Sequence, residues 1–254
     1  PSRLYITVFS GGSGINRDDD SIAIWQDIFK FIGISHKYSQ LDTLEKASEQ
    51  GMEKDARIFG YGVDKNWWSR AGKPENMPAG EPGGPDSEIF YDFETPHNKK
   101  FGEKCHPNCD CGRFLEIGNS VFMEYKKKPN GDFEHLPQKN VDFGGGLERI
   151  TAASNNDPDM FNVDSIKPII LKIRELIPKI DSRSERIIAD HVRAAAFLVA
   201  DGVAPSNKVQ GYFLRRLIRR ALTYVRKSGI ESNVMAELGK IVSKIFFSFK
   251  IIVI

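Results

Sequence analysis

The sequence predicts an α+β fold, a sheet-forming half followed by a helical half, on three observations. Strand-like runs of β-branched and aromatic residues all fall before residue 146. Gly and Pro punctuation is concentrated in residues 69–86, within that same half. From Asp164 onward nearly every stretch carries helical spacing, broken near Pro178, 201–207 and 228–229. A boundary near 155–163 therefore separates a domain at 1–158 from a domain at 159–254. No internal repeat is visible.

Residues 4–9 (LYITVF) alternate and are β-branched or aromatic, which predicts a strand. From residue 18, Ile22, Trp25, Ile28, Phe29 and Ile32 recur at helical spacing, with acidic residues in the first turn. Residues 69–86 read as a long loop, 88–92 (EIFYD) as a buried strand, and 97–112 as a second loop that holds every cysteine. Residues 113–125 (RFLEIGNSVFMEY) read as a strand, with Asn130 and Gly131 as the turn after it. Residues 141–149 read as a short strand, a glycine-rich turn and a helix start. The tail KIFFSFKIIVI is apolar but too short and too interrupted by lysine to span a bilayer.

Bulk properties set few limits. The chain has 254 residues, 40% of them apolar, and a formal charge of +2. That suits one large domain or two modest ones with a real core. Its only cysteines are Cys105, Cys109 and Cys111. An odd number packed so closely is a poor disulfide framework, so a reducing cytoplasm is expected. The start, PSRLYITVFSGG, lacks the basic and apolar regions of a signal peptide.

The near-neutral total hides a local cationic strip. Leu214, Leu217, Ile218, Ala221, Leu222 and Val225 form the apolar side of a helix. Arg215, Arg216, Arg219 and Arg220 fall between them on the other side, and Arg226 and Lys227 continue it. No acidic residue occurs from Pro205 to Ser228. Guanidinium forks match phosphate oxygens and stay charged, so such a strip suits a nucleic-acid backbone. An ordinary solvated face is the plain alternative.

The words around that helix are specific. Residues 187–221 read IIADHVRAAAFLVADGVAPSNKVQGYFLRRLIRRA. They closely resemble the acceptor-stem-binding helical region of alanyl-tRNA synthetases. The resemblance implies that Asn207 sits at the G·U pair the family reads, while Arg215, Arg216, Arg219 and Arg220 grip flanking phosphates. A side-chain amide can both donate and accept at a base edge in the shallow groove of A-form RNA, whereas arginines position without reading. Asn207 also has a plainer use, as a helix or turn cap.

A second resemblance lies in VDFGGGLERI, residues 141–150, which is similar to motif 3 of class II aminoacyl-tRNA synthetases. It implies that Gly144 and Gly146 border adenine, that Arg149 holds the ATP γ-phosphate, and that Asp142 receives the ammonium group of alanine. The plainer readings are a turn residue for Asp142 and a surface ion pair for Arg149. The strand at 113–125 resembles one that the family writes with Trp before Asn. Here Gly118 takes the Trp position, which is expected to alter a pocket wall. Asn119 keeps its place and would bond to alanine or its adenylate, with Val121 toward the methyl group. Strand parity puts Glu116 on the face away from Asn119 unless a bulge intervenes, so it is given no role. NWW at 66–68 matches a family tryptophan lining the alanine pocket, assigned to Trp68, with a plain core aromatic as the alternative.

EPGGPDSEIFYD, residues 81–92, resembles a family segment that in bacterial members often carries two cysteines, with histidines after it, able to bind zinc. Here Gly83 and Asp86 take the cysteine positions and Phe93 that of a histidine. The cysteines stand instead in CHPNCDCGRF, where Cys105, Cys109 and Cys111 with His106, or else His97, offer four zinc ligands. Three reduced cysteines in a loop are the alternative. No segment resembles class II motif 1 or the arginine-bearing motif 2 that holds the α-phosphate.

The resemblances together imply the C-terminal half of a class II antiparallel sheet with flanking helices, followed by an all-helical tRNA-recognition domain. The expected activity is ATP- and Mg²⁺-dependent attachment of alanine to tRNA(Ala), in a complete enzyme or one shared with a separate chain that carries motifs 1 and 2. The missing motif 2 makes the isolated chain an expected non-catalyst. The rival is a non-catalytic acceptor-stem-binding module, which the missing motif 2 and Gly118 favour. Asp142, Asn119 and Arg149 favour the enzyme, since a pure RNA binder has no use for an alanine pocket.

Overall fold

The computed structural model describes residues 1–247, which form two compact units divided after Pro158. The apolar tail singled out above lies mostly outside the described residues. In the first unit the elements run β1 (Leu4–Phe9), α1 (Asp19–Phe31), β2 (Lys37–Asp42), α2 (Leu44–Gln50), β3 (Ala56–Tyr61), β4 (Trp67–Ser69), β5 (Pro82–Asp92), β6 (Phe114–Lys127), β7 (Phe133–Gly145) and α3 (Leu147–Ser154). They build one mixed sheet in the order β2-β3-β1-β5-β6-β7, with β4 paired to β5 beside this path. β1, β2 and β3 pair in parallel; every other pair is antiparallel.

The parallel edge is two crossovers. β1 leads through α1 to β2, and β2 returns through α2 to β3, which sits between them. Such crossovers are right-handed, so reversing the direction across the sheet puts the second helix on the opposite face. Ile22 and Phe29 of α1 accordingly pack on Ile6, Val8 and Ile58. Ala47 of α2 packs with Leu41, Phe59 and Tyr61. Strand alternation sends Ile6 and Val8 one way and Tyr5, Thr7 and Phe9 the other. α1 starts where Asp18 accepts the Ser21 N–H at 3.0 Å, and α2 where Thr43 accepts that of Lys46 at 3.2 Å.

The sequence pattern predicts no element over residues 33–65, where β2, α2 and β3 lie. β2 (KYSQLD) is half polar and α2 (LEKASEQ) buries only Ala47, so neither has the apolar periodicity that signals an element. Residues 82–86 are also strand rather than loop. Their Gly and Pro serve a close approach rather than a turn: a Cβ on Gly84 would run into the carbonyl oxygen of Phe122 on β6. β7 begins at Phe133, well before residue 141, because the turn at Asn130 and Gly131 closes a long hairpin with β6.

The second unit is helical: α4 (Lys167–Leu176), α5 (Ser182–Ala200), α6 (Val209–Lys227) and α7 (Met235–Phe247). Ile169, Ile173, Ile188, Val192, Leu214, Val225, Leu238 and Val242 form its buried core. Arg174 grips Glu185 through paired bonds of 2.8 and 2.7 Å, tying α4 to α5. Among the described residues, no helix is long and apolar enough to cross a membrane.

Gly84→Ala should cost the first unit about 3 kcal/mol, in the range of severe overpacking, because β5 and β6 must part locally. Urea unfolding of the variant reads this directly, and an unchanged midpoint would refute the close approach.

Candidate functional site

Register decides which side chains of the sheet share a face. β5 pairs Glu88 with Asn119 and Asp86 with Val121 of β6; β6 in turn pairs Asn119 with Gly144 and Val121 with Asp142 of β7. β1 pairs Thr7 with Glu88. Thr7, Asp86, Glu88, Asn119, Val121, Asp142 and Gly144 therefore lie on one face. A bulge at Ile117 adds to them: Ile89 pairs with Gly118 but Phe90 pairs with Glu116. The extra residue brings Glu116 onto the face of Asn119, against plain parity, so Glu116 belongs to the site.

Hydrogen bonds knit this face together. Asn66 donates to Thr7 Oγ1 at 2.9 Å and to Asp86 Oδ1 at 3.0 Å, and Thr7 donates to Glu88 Oε2 at 2.9 Å. Asn119 Nδ2 reaches the other Asp86 oxygen at 3.3 Å. The side-chain oxygens of Asn66 and Asn119 are buried without a partner. A buried acceptor left open is costly, and a ligand's N–H would satisfy it. Burial, with Asp86 adding repulsion, pushes Glu88 up to about 8. Burial pushes Asp86 up to about 6, with Glu116 adding to the rise.

The glycine turn has two separate uses. Nothing lies within 4 Å of a Cβ placed on Gly144, so open space stands over its backbone. A Cβ on Gly146 would come within 3.1 Å of the Arg149 side chain, so Gly146 makes room for that arginine. Arg149 Nη1 donates to the Glu116 carbonyl at 3.1 Å and to Glu116 Oε2 at 3.0 Å. It faces a cleft of about 520 Å³ that Lys65, Glu88, Glu116, Asn108 and Asp110 also line. Asp142 is exposed on β7, opposite Val121. Trp68 follows Asn66 by two residues, pairs with Gly84 and is 41% exposed. Trp67 is the buried core aromatic, against Phe9, Tyr125 and Phe133.

Gly118 does not border this site. It pairs with Ile89 and Gly145 on the other face, where the Phe143 ring comes within 3.2 Å of the missing Cβ. The expected change to a pocket wall is thus a change of packing behind the sheet.

The cysteine loop also departs from expectation. His106 is 3% exposed, and its Nδ1 is engaged by the Tyr61 hydroxyl at 3.0 Å. Burial, with Lys65 nearby, lowers its imidazole to about 4. The histidine that joins Cys105, Cys109 and Cys111 is His97, and the four ligand atoms lie within 4.8 Å of one another. Of the two histidines the sequence offers, the fold brings His97 to the sulfurs, while His106 is buried against Tyr61.

In the helical unit, α6 presents Arg216, Arg219 and Arg220 to solvent, with Arg215 half-buried. Among the described residues no carboxylate pairs with any of the four. The guanidinium groups of Arg215 and Arg216 each stand 5.9 Å from the ring of Tyr212, which is itself exposed, as is Phe213. Arg216, Arg219 and Arg220 border a groove of about 430 Å³ together with Asp190 and His191 of α5. Asn207 is exposed, and its side chain makes no hydrogen bond among the described residues. The turn is fastened by Ser206 instead, whose Oγ accepts the Lys208 N–H at 3.3 Å and whose N–H donates to Gly211 at 3.0 Å. Ser206 therefore holds the turn, no side chain caps α6 at Lys208, and the Asn207 amide is left over.

A family model described as tRNA synthetases class II (A) matches residues 15–250. The chain belongs to this family. Its relatives include the alanine–tRNA ligase of Borrelia hermsii, 38% identical over 97% of this chain and 38% of that enzyme. The alanine–tRNA ligase of Treponema denticola is 38% identical over 92% of this chain and 35% of its own length. That of Petrotoga mobilis is 37% identical over 88% of this chain and 24% of its own length. The chain thus spans well under half of the synthetases it matches.

Set within the synthetase family, the bulge and the buried carboxylates are what sequence reasoning missed. Only the pairing of Phe90 with Glu116 reveals the first. The second had a faint signal in the Asp86-Ser-Glu88 alternation. Because the folded synthetase unit raises the Glu88 pKa from 4.5 to about 8, it holds that proton more tightly than the unfolded chain does. The resulting stability is full below pH 4.5 and is lost as pH rises toward about 8. Glu88→Gln should flatten the fall in urea midpoint across that window, and parallel pH profiles for the two proteins would contradict it.

Proposed function

We propose that this chain is part of an enzyme that activates alanine with ATP and transfers it to tRNA(Ala). The observation that carries the reading is the shared face of Asp142, Asn119, Val121 and Gly144, beside a cleft that holds Arg149. Asp142 receives the ammonium group, since an amino acid arrives as a cation and needs a counter-charge. Asn119 bonds to alanine or its adenylate, Val121 faces the methyl group, and Trp68 lines the pocket. Gly144 leaves the open space into which a flat purine fits.

Arg149 holds the ATP γ-phosphate, which requires it to leave Glu116 or to share it. The hard carboxylate oxygens of Glu88 and Glu116 in the cleft are the kind Mg²⁺ takes, and Mg²⁺ when bound supplies charge neutralisation on the phosphates. Formation of alanyl-adenylate is then attack by the alanine carboxylate on the α-phosphate, with the α–β phosphoanhydride bond breaking and pyrophosphate leaving, favoured by positioning. Residues 1–158 act as part of the catalytic domain and 159–254 as part of the tRNA-recognition domain.

The face of β7 and α3 supports a role for chain beyond these residues. Val141 and Phe143 on the edge strand β7 and Leu147 at the start of α3 are 67%, 60% and 72% exposed. Exposed apolar side chains along a free edge invite cover. The occupant that fits is the portion of the synthetase carrying motifs 1 and 2, on the same polypeptide or a separate one, at work in the cytoplasm. These residues alone should give no measurable alanine-dependent ATP–pyrophosphate exchange, because the α-phosphate arginine is worth on the order of a hundredfold or more. Robust exchange would overturn that. With the complementing portion supplied, Asp142→Asn should abolish exchange while leaving the urea midpoint in place. Near-normal exchange would make Asp142 structural.

The rival, a non-catalytic acceptor-stem binder, loses one of its supports with Gly118 on the far face. Its RNA chemistry is common to both readings. Arg216→Ala with Arg220→Ala should weaken binding to every stem and reduce the salt slope by about one per arginine. Asn207→Ala should instead lower the preference for a G·U stem over a G·C one by about 1–3 kcal/mol, at constant salt slope. Equal losses on matched minihelices would place the reader elsewhere.

A further inference from the structure

We propose that His97, Cys105, Cys109 and Cys111 bind one Zn²⁺, and that this ion pins the segment between β5 and β6 as a wall of the Arg149 cleft. The segment runs from Phe93 to Arg113 and holds only one short helical turn, Lys99–Phe101. Loops of that length with so little structure of their own are uncommon in compact domains and need something to order them.

The geometry fits a tetrahedral centre. Zinc–thiolate bonds of about 2.3 Å set ligand-to-ligand edges of about 3.8 Å. Cys105 Sγ and Cys111 Sγ are 3.6 Å apart, and Cys109 Sγ lies 3.8 Å from His97 Nδ1. All four ligand atoms lie within 4.8 Å of one another. A sulfur separation of 3.6 Å is far beyond a disulfide bond, and all three cysteines are free.

A second observation concerns the imidazole. His97 Nε2 lies 2.9 Å from the Gly102 carbonyl oxygen. That contact requires the proton on Nε2 and leaves the lone pair of Nδ1 aimed at the sulfurs. Metal-bound histidines are usually oriented in this way. His106 cannot take this place, because its Nδ1 is bonded to Tyr61.

Three thiolates and an imidazole select a soft or borderline ion, and a closed set of four protein ligands marks a structural rather than a catalytic centre. The consequence reaches the cleft. Pro107, Asn108, Cys109, Asp110 and Gly112 line it with Glu116 and Arg149. Metal at Cys109 and Cys111 would thus set the position of Asp110 between them. The ligand set stands independently of whether the cleft takes ATP. It also differs from the family's cysteine and histidine positions, which Gly83, Asp86 and Phe93 occupy here.

The test uses the reduced, purified chain. Metal analysis should find about one zinc per chain, removed only by a strong chelator. Cobalt(II) exchange should give the intense visible bands of a tetrahedral site and a sulfur-to-cobalt charge-transfer band. Cys109→Ser with Cys111→Ser should lose the ion. His97→Ala should weaken cobalt binding at least tenfold, whereas His106→Gln, which can still meet Tyr61, should leave it unchanged. His97→Cys should restore binding with a stronger charge-transfer band, which guards against simple misfolding. Trypsin should cut at Lys99, Lys100 and Lys104 only after chelation. Zinc below a tenth of an equivalent after reconstitution, with all three thiols open to a thiol reagent, would overturn the site. Loss of metal by His106→Gln with retention by His97→Ala would overturn the ligand set. Equal trypsin cutting with and without zinc would overturn its role in holding the wall.

Discussion

The candidate site depends on one feature of sheet register, the bulge at Ile117. Without it, alternation along β6 would carry Glu116 to the face of Ile89 and Gly118. Arg149 would lose the carboxylate that now holds it at 3.0 Å, and the cleft would lose a charge. A single extra residue thus joins two parts of the sheet: the Asp86, Glu88 and Asn119 cluster, and the arginine at the start of α3. Bulges recur where a strand must aim a side chain against its own parity, at no cost beyond one unpaired ladder position.

The electrostatics follow from that convergence. Asp86, Glu88 and Glu116 share a poorly solvated face, and both Asp86 and Glu88 bind protons more firmly than free carboxyls do. The arrangement stores repulsion that a cation relieves. Two cations fit the proposed chemistry, the ammonium end of an amino acid and a hard divalent ion. The open acceptors on Asn66 and Asn119 point the same way, since each lacks a donor among the described residues. The face thus suits ligands that bring N–H groups and positive charge, and in the proposed chemistry Arg149 is the cationic counterpart for phosphate.

Much of the fold was legible because its signals are local. α1 announced itself through Ile22, Trp25 and Phe29, and α6 through Leu214, Ala221 and Val225, each set at helical spacing. The antiparallel hairpin of β6 and β7 was legible through Asn130 and Gly131, although the length of β7 was not. The parallel edge stayed hidden because β2 shows only two buried positions and α2 only one. β5 was half hidden for the opposite reason: its Gly83, Gly84 and Pro85 read as loop although Gly84 is there to let two strands touch. Among site residues, Asp142, Asn119, Gly144 and Arg149 were recognisable as words. Glu116 was not, because parity is a property of pairing between strands and no single strand encodes it.

The cysteine loop shows the same limit and how structure removes it. Sequence offered two histidines, His106 and His97, for one place. Folding makes the choice because Tyr61, far away in sequence, claims His106 for the core at 3.0 Å. His97 is then the imidazole whose Nδ1 faces the sulfurs, 3.8 Å from Cys109 Sγ, held in orientation by Gly102. A histidine's chemistry is decided by what its second nitrogen does. Here one ring nitrogen is tied to a backbone carbonyl in His97 and to a tyrosine hydroxyl in His106. The two histidines of one loop are thereby divided between the proposed metal site and the buried core around Tyr61.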